Sequence, residues 1–231
     1  MKAAVNFKST MLLASVSFAL VSCGGGDTEI DTDQMVADMM AEANANAMTF
    51  DDGYDSCFKA VASLLGNDAK VSEIRTLFSA GNEIDSMQMQ PRGQMTSCEV
   101  QYQNPDNPKK MLSARFDNKT GEFSEPREME ITVIGGNASE FSVDDYVMPL
   151  SDVNYAALGA FMEGKQEALG GAYSDFAWTG FTLNAPGLTQ QNHTLGISLV
   201  GRLASNDVKE SGSASFQTDG TTVIRDGLLP R

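Results

Sequence analysis

The sequence predicts an α+β fold, with N-terminal helices packed on an antiparallel meander, then a helix and a second antiparallel sheet. Apolar residues recur at helical spacing after Asp55, at Phe58, Val61, Leu64 and Leu65. The period changes to two at Cys98, where Val100 and Tyr102 alternate with Glu99, Gln101 and Gln103, as in a half-buried strand. A helix-like stretch followed by strand-like stretches returns in the C-terminal half, without a fixed-period repeat. That order fits either two lobes or one larger α+β domain.

Taken in order, the chain opens with Lys2 and Lys8 as a positive flank to an apolar run, Met11 to Val21, too short to span a bilayer stably. Leu20-Val21-Ser22 then leads into Cys23. This stretch resembles the lipobox signal peptide of bacterial lipoproteins, which are lipidated on the cysteine and cut just before it. The resemblance implies that residues 1–22 are removed and that Cys23 becomes a lipid-bearing N-terminus, carrying acyl chains such as palmitate. Gly24 follows the cysteine where an aspartate would imply inner-membrane retention, so the expected location is the outer membrane.

Residues 23–54 read as the anchor, an acidic tether and a further helix. Gly24, Gly25 and Gly26, with Asp27, Glu29, Asp31 and Asp33, bury no apolar surface and keep the chain extended. Met35 to Met48 is rich in Ala, Met and acid, with a weak apolar side.

Residues 55–136 read as a disulfide-linked α+β unit. The first helix stops at Gly66-Asn67, and a second carries Val71, Ile74, Leu77 and Phe78 on one face and ends at Gly81-Asn82. Met87 to Thr96 is a loop or irregular strand. The strand at Cys98 follows, then one with Leu112, Ala114 and Phe116 on its apolar face, then one with Met129, Ile131 and Val133. The turns are Asn104 to Pro108 and Asp117-Asn118-Lys119-Thr120-Gly121. This helix–helix–strand order with a linking cysteine pair resembles small cell-envelope lipoproteins of unknown function in other bacteria, over about a third of the chain.

Residues 137–231 read as the C-terminal α+β unit. Ser151 is the expected N-cap, Leu158, Phe161, Met162 and Leu169 form the inner face, and Gly170-Gly171 stops the helix. Strands are expected over Phe176–Leu183, His193–Leu203, Ser213–Gln217 and Thr222–Arg225, with Asp219-Gly220 turning the last hairpin.

Charge and cysteines narrow the function classes. The formal net charge is −15, and loss of residues 1–22, which hold Lys2 and Lys8 and no acid, takes it to −17. So acidic a surface repels phosphate backbones, and no basic stripe with interleaved aromatics exists, so nucleic acid is not an expected partner. With Cys23 taken by lipid, Cys57 and Cys98 remain as an even pair, the pattern of a structural disulfide in an oxidising envelope. A redox-active pair would more typically be C-x-x-C.

The candidate chemistry is sparse. His193 is the only histidine and has no G-x-S-x-G nucleophile elbow beside it, so it reads as a surface residue near a turn. Ser56-Cys57-Phe58-Lys59 fits S-x-x-K and Lys119-Thr120-Gly121 fits K-T-G, two signatures of penicillin-recognising serine enzymes, but no S-x-N lies between them. Met87-Gln88-Met89 has a form that suits Cu(I), yet no imidazole lies in the Met35–Met95 cluster, and methionine as packing is the simpler reading. The acids Asp27/Asp31/Asp33, Asp51/Asp52/Asp55 and Asp144/Asp145 match no EF-hand loop and read as solvated surface. No catalytic residue, metal ligand or cofactor is assigned. The expectation is a lipid-anchored envelope protein acting as a non-catalytic binding or assembly module for an envelope protein or glycan. The alternatives are an enzyme using Ser56/Lys59 or a passive structural lipoprotein.

Overall fold

The computed structural model describes residues 4–8, 32–134, 137–187 and 190–230. Cys23 and the Leu20-Val21-Ser22 stretch expected to be a lipobox lie outside the described residues, as does most of the stretch expected to be an acidic tether. In chain order the elements are β1 (Ala4–Lys8), α1 (Thr32–Ala43), α2 (Ser56–Leu65), β2 (Lys70–Phe78), β3 (Met95–Gln103), β4 (Met111–Asp117), β5 (Glu122–Phe123), β6 (Arg127–Ile134), β7 (Met148–Pro149), α3 (Leu158–Ala172), β8 (Tyr173–Asn184), β9 (Thr194–Leu203), β10 (Lys209–Phe216) and β11 (Val223–Gly227). Helix and strand are mixed around one large antiparallel sheet, in the order β1-β6-β4-β3-β2-β8-β9-β10-β11, with β5 on β4 and β7 on β2. Among the described residues no helix is long and apolar enough to cross a membrane.

Instead of two sheets, there are two meanders joined by pairing of β2 with β8, Ile74 opposite Leu183 and Thr76 opposite Phe181. Side chains alternate across a strand, so paired residues line up in rows. Ala114, Val100, Ile74, Leu183, Leu195 and Phe216 form one row across six strands, all buried. Cys98, Thr76, Phe181, Ile197 and Ala214 form the next. Burying each large apolar side chain contributes about 1.5–3 kcal/mol, so this face holds most of the stabilising area. The opposite face carries Arg115, Glu99, Arg75, Thr182, Gly196 and Ser215 in one exposed or half-buried row, and its Ala177 and Val200 pack against Ala80 and Ile84.

The connection from β6 back to β8 supplies part of the cover for the apolar face, with Leu150, Val153, Leu158, Met162 and Leu169 in the same core as the strand rows. Residues 150–152 and 155–157 are short 3₁₀ turns, so α3 begins at Leu158 and not after Ser151. Gly170 and Gly171 lie inside α3, which passes directly into β8. The Asp219-Gly220 turn falls where expected, between β10 and β11. Gly220 has φ 69°, and a Cβ there would strike the Asn154 carbonyl oxygen. Asp219 accepts from the Thr222 hydroxyl and from the Thr221 and Thr222 backbone N–H groups, which holds its carboxyl down at about 2.

The second helix expected over Val71 to Phe78 is strand β2. Its buried residues include Ser72, Ile74, Thr76 and Phe78, an alternation of period two, while Leu77 points to the wet face at 38% exposure. Two hydroxyl side chains occupy inward positions, so the apolar letters alone imitate a helix. A bulge between Val71 and Glu73 buries Val71 as well, completing the false pattern. The helix–helix–strand resemblance therefore loses its second helix.

α2 forms as its spacing predicts, burying Cys57, Phe58 and Val61 and ending at Gly66, φ 85°. Cys57 in its first turn and Cys98 in β3 lie at disulfide distance, with Cα atoms 5.6 Å apart. Closing a loop of that length contributes about 4 kcal/mol in the chain-entropy account. Two observations are expected: denatured, unreduced protein from an oxidising compartment titrates no thiol at these positions, and Cys57→Ser lowers urea-unfolding stability by about 2–4 kcal/mol. Free thiols at both positions would contradict the bridge.

Candidate functional site

The residues that could carry chemistry meet at the junction of α3 and β8. Met48 to Phe50 is tied to the loop ahead of β3: Phe50 N donates to the Gly93 carbonyl at 2.7 Å and Met95 N to the Met48 carbonyl at 2.8 Å. Gly93, at φ 77°, turns the chain there. The short turn Phe50–Asp52 is capped by Asp52, whose carboxylate accepts from the Thr49 backbone N–H at 2.7 Å and its hydroxyl at 2.9 Å. These bonds hold the Asp52 carboxyl below the usual carboxylate range, the backbone bond contributing most.

Across from this turn, α3 presents Gln166 and Gly170, and β8 presents Asp175, Phe176 and Trp178. Together they line a cleft of about 610 Å³. Arg92 spans it, donating from one nitrogen to both Asp175 carboxylate oxygens at 2.9 and 3.0 Å and from another to the Phe176 carbonyl. An exposed pair of this kind contributes about 0.2–1 kcal/mol, so its main consequence is to fix the wall. Tyr173 is locked below by donating to the Leu228 carbonyl at 2.9 Å, and burial raises its phenol pKa. Phe176 meets Trp178 edge-to-face, ring centroids 6.1 Å apart.

Two side chains of the lining are chemically open. Asp51 and Gln166 are exposed and make no side-chain hydrogen bond or ion pair with another described residue. The Trp178 indole N–H is buried away from the cleft with no acceptor among the described residues, at a cost of about 1–3 kcal/mol.

Of the residues singled out by sequence, Asp51 lines the cleft, while Asp55, expected as solvated surface, is buried, and the others lie elsewhere. Ser56 Oγ is buried without a partner among the described residues, and the Lys59 ammonium pairs with Asp55 at 2.8 Å. That contact, chiefly its hydrogen bond, raises the Lys59 pKa, the reverse of what a base for Ser56 requires. Lys119 sits in the β4–β5 turn with its ammonium on Glu42. Met95 is fully buried while Met87 and Met89 are 85% and 69% exposed, so the methionines do not share one environment. Asp144 pairs with Lys70 and accepts from Gln103. Among the described residues no three His, Cys, Asp or Glu side chains are placed to hold a metal ion.

No family model, curated protein or solved structure matches this chain. The cleft therefore rests on its own geometry. Sequence reasoning missed it because its walls come from segments near residues 50, 92, 166 and 176. One available signal was the single tryptophan, two residues from Phe176 on the same strand.

His193 is half-buried and not on the open surface, its Nε2 3.2 Å from the Tyr146 carbonyl oxygen. Burial lowers its pKa below 6.5, partly offset by that hydrogen bond. The unfolded chain then takes up the proton first, so stability falls as pH drops below 6.5 and levels off below the folded pKa. In urea titrations between about pH 7 and pH 5, wild type is expected to lose stability through this group, and His193→Gln to lose less. An equal loss in both would contradict the assignment.

Proposed function

We propose that this chain is a lipid-anchored cell-envelope protein, held through Cys23 at the outer membrane, that acts as a non-catalytic binding or assembly module. The observation that carries the binding role is the cleft at the α3–β8 junction, with a fixed ion-paired wall, aromatic lining and polar groups left without internal partners. Pockets that mix apolar lining with a few convergent polar groups are the usual sites of ligand capture. The cysteine pair suits an oxidising envelope. Residues 55–231 act as one domain in this reading, since the β2–β8 pairing and a single main core join both units. Removal of residues 1–22 would take β1 away and leave β6 as a sheet edge. The Ser56/Lys59 enzyme has less support, because Asp55 holds the lysine.

The reading is tested in the native envelope with a photo-reactive residue at Gln166 and, as a control, at Asp152. Wild type is expected to incorporate labelled palmitate, fractionate with membranes and form a cross-linked adduct only from position 166. Cys23→Ser is expected to lose the label and the membrane fraction. Equal label in Cys23→Ser contradicts the anchor, and equal adducts from both positions contradict the cleft. Covalent labelling by fluorescent penicillin that vanishes in Ser56→Ala would replace the binding reading with the enzyme.

A further inference from the structure

We infer that the cleft takes a neutral carbohydrate, a sugar ring lying against Phe50 and Phe176 with hydroxyls held by Asp51 and Gln166; this rests on the cleft being a binding site. The electrostatics disfavour anions. Among the described residues the only cation in the lining, Arg92, is already committed to Asp175 and the Phe176 carbonyl, and Asp51 adds a free negative charge. The chain as a whole carries −15. Phosphates and carboxylates therefore meet repulsion and no free receptor.

The lining also disfavours a wholly apolar guest. An alkyl chain would desolvate Asp51, Gln166 and the Arg92–Asp175 pair without replacing their water hydrogen bonds. A neutral sugar answers both halves of the lining. Its axial C–H faces supply apolar area for the half-buried rings of Phe50 and Phe176. Its hydroxyls both donate and accept, so they suit the acceptor-only carboxylate of Asp51 and the mixed amide of Gln166.

The chain carries one tryptophan, so its emission reports on this cleft alone. The full chain is to be screened on an array of neutral oligosaccharides covering hexoses, N-acetylhexosamines and pentoses in α and β linkage, with hits titrated by Trp178 fluorescence. Laurate and tetramethylammonium serve as apolar and cationic probes. At least one neutral sugar is expected to shift the emission saturably, with Kd weakened about tenfold in Asp51→Ala and in Gln166→Ala. Asp152→Ala, outside the cleft, is expected to bind as wild type does. A response to laurate or tetramethylammonium without any to the sugars overturns the ligand class and leaves the cleft as a binding site. No response to any probe overturns both.

Discussion

The pairing of β2 with β8 is the contact on which the rest of the molecule depends. Ile74 against Leu183 and Thr76 against Phe181 merge a meander built from β2 to β6 with another built from β8 to β11. Without that pairing each half would expose a strand edge and half of an apolar row, both of which invite aggregation. With it, the row from Ala114 to Phe216 is continuous, and α2, α3 and the loops share one core. The Cys57–Cys98 contact fixes α2 to β3, the strand beside β2, so covalent and packing constraints converge on the centre of the sheet.

The cleft follows from this arrangement. β8 is central, and it is entered straight from α3 with no intervening loop, so the start of the strand and the end of the helix diverge at one edge of the core. The Phe50–Asp52 turn closes the far side because its backbone is bonded to the loop preceding β3. Arg92 comes from that same loop and reaches Asp175 on β8, so one ion pair bridges the two halves of the wall. Packing forces determine where the cleft lies, and charge pairing determines which of its groups stay available. Arg92 is spent and Asp51 is not.

How much of this was legible follows from which residues carry each signal. α2 was, because Phe58 and Val61 sit at helical spacing and Gly66 ends the run. β3 was, because Cys98, Val100 and Tyr102 alternate with polar residues. β2 was not: Ser72 and Thr76 are inward-facing hydroxyls, and a period read from apolar letters cannot register a buried serine. The single sheet was not legible either, since strands over a hundred residues apart in sequence pair at its centre, as Ile74 and Leu183 do. The Ser56/Lys59 spacing was visible, but the neighbour that redirects the lysine is Asp55, outside the motif. The cleft left almost no local trace, because only the fold brings Asp51, Arg92, Gln166 and Trp178 together.

Amide hydrogen exchange under native conditions tests the central pairing most directly. If β2 and β8 join the two meanders into one cooperative unit, the amides of Ile74, Thr76, Phe181 and Leu183 exchange last, together, and with the free energy of global unfolding. Exchange of β8 to β11 through a separate, lower-energy opening, while β2 to β4 stay protected, would contradict the account.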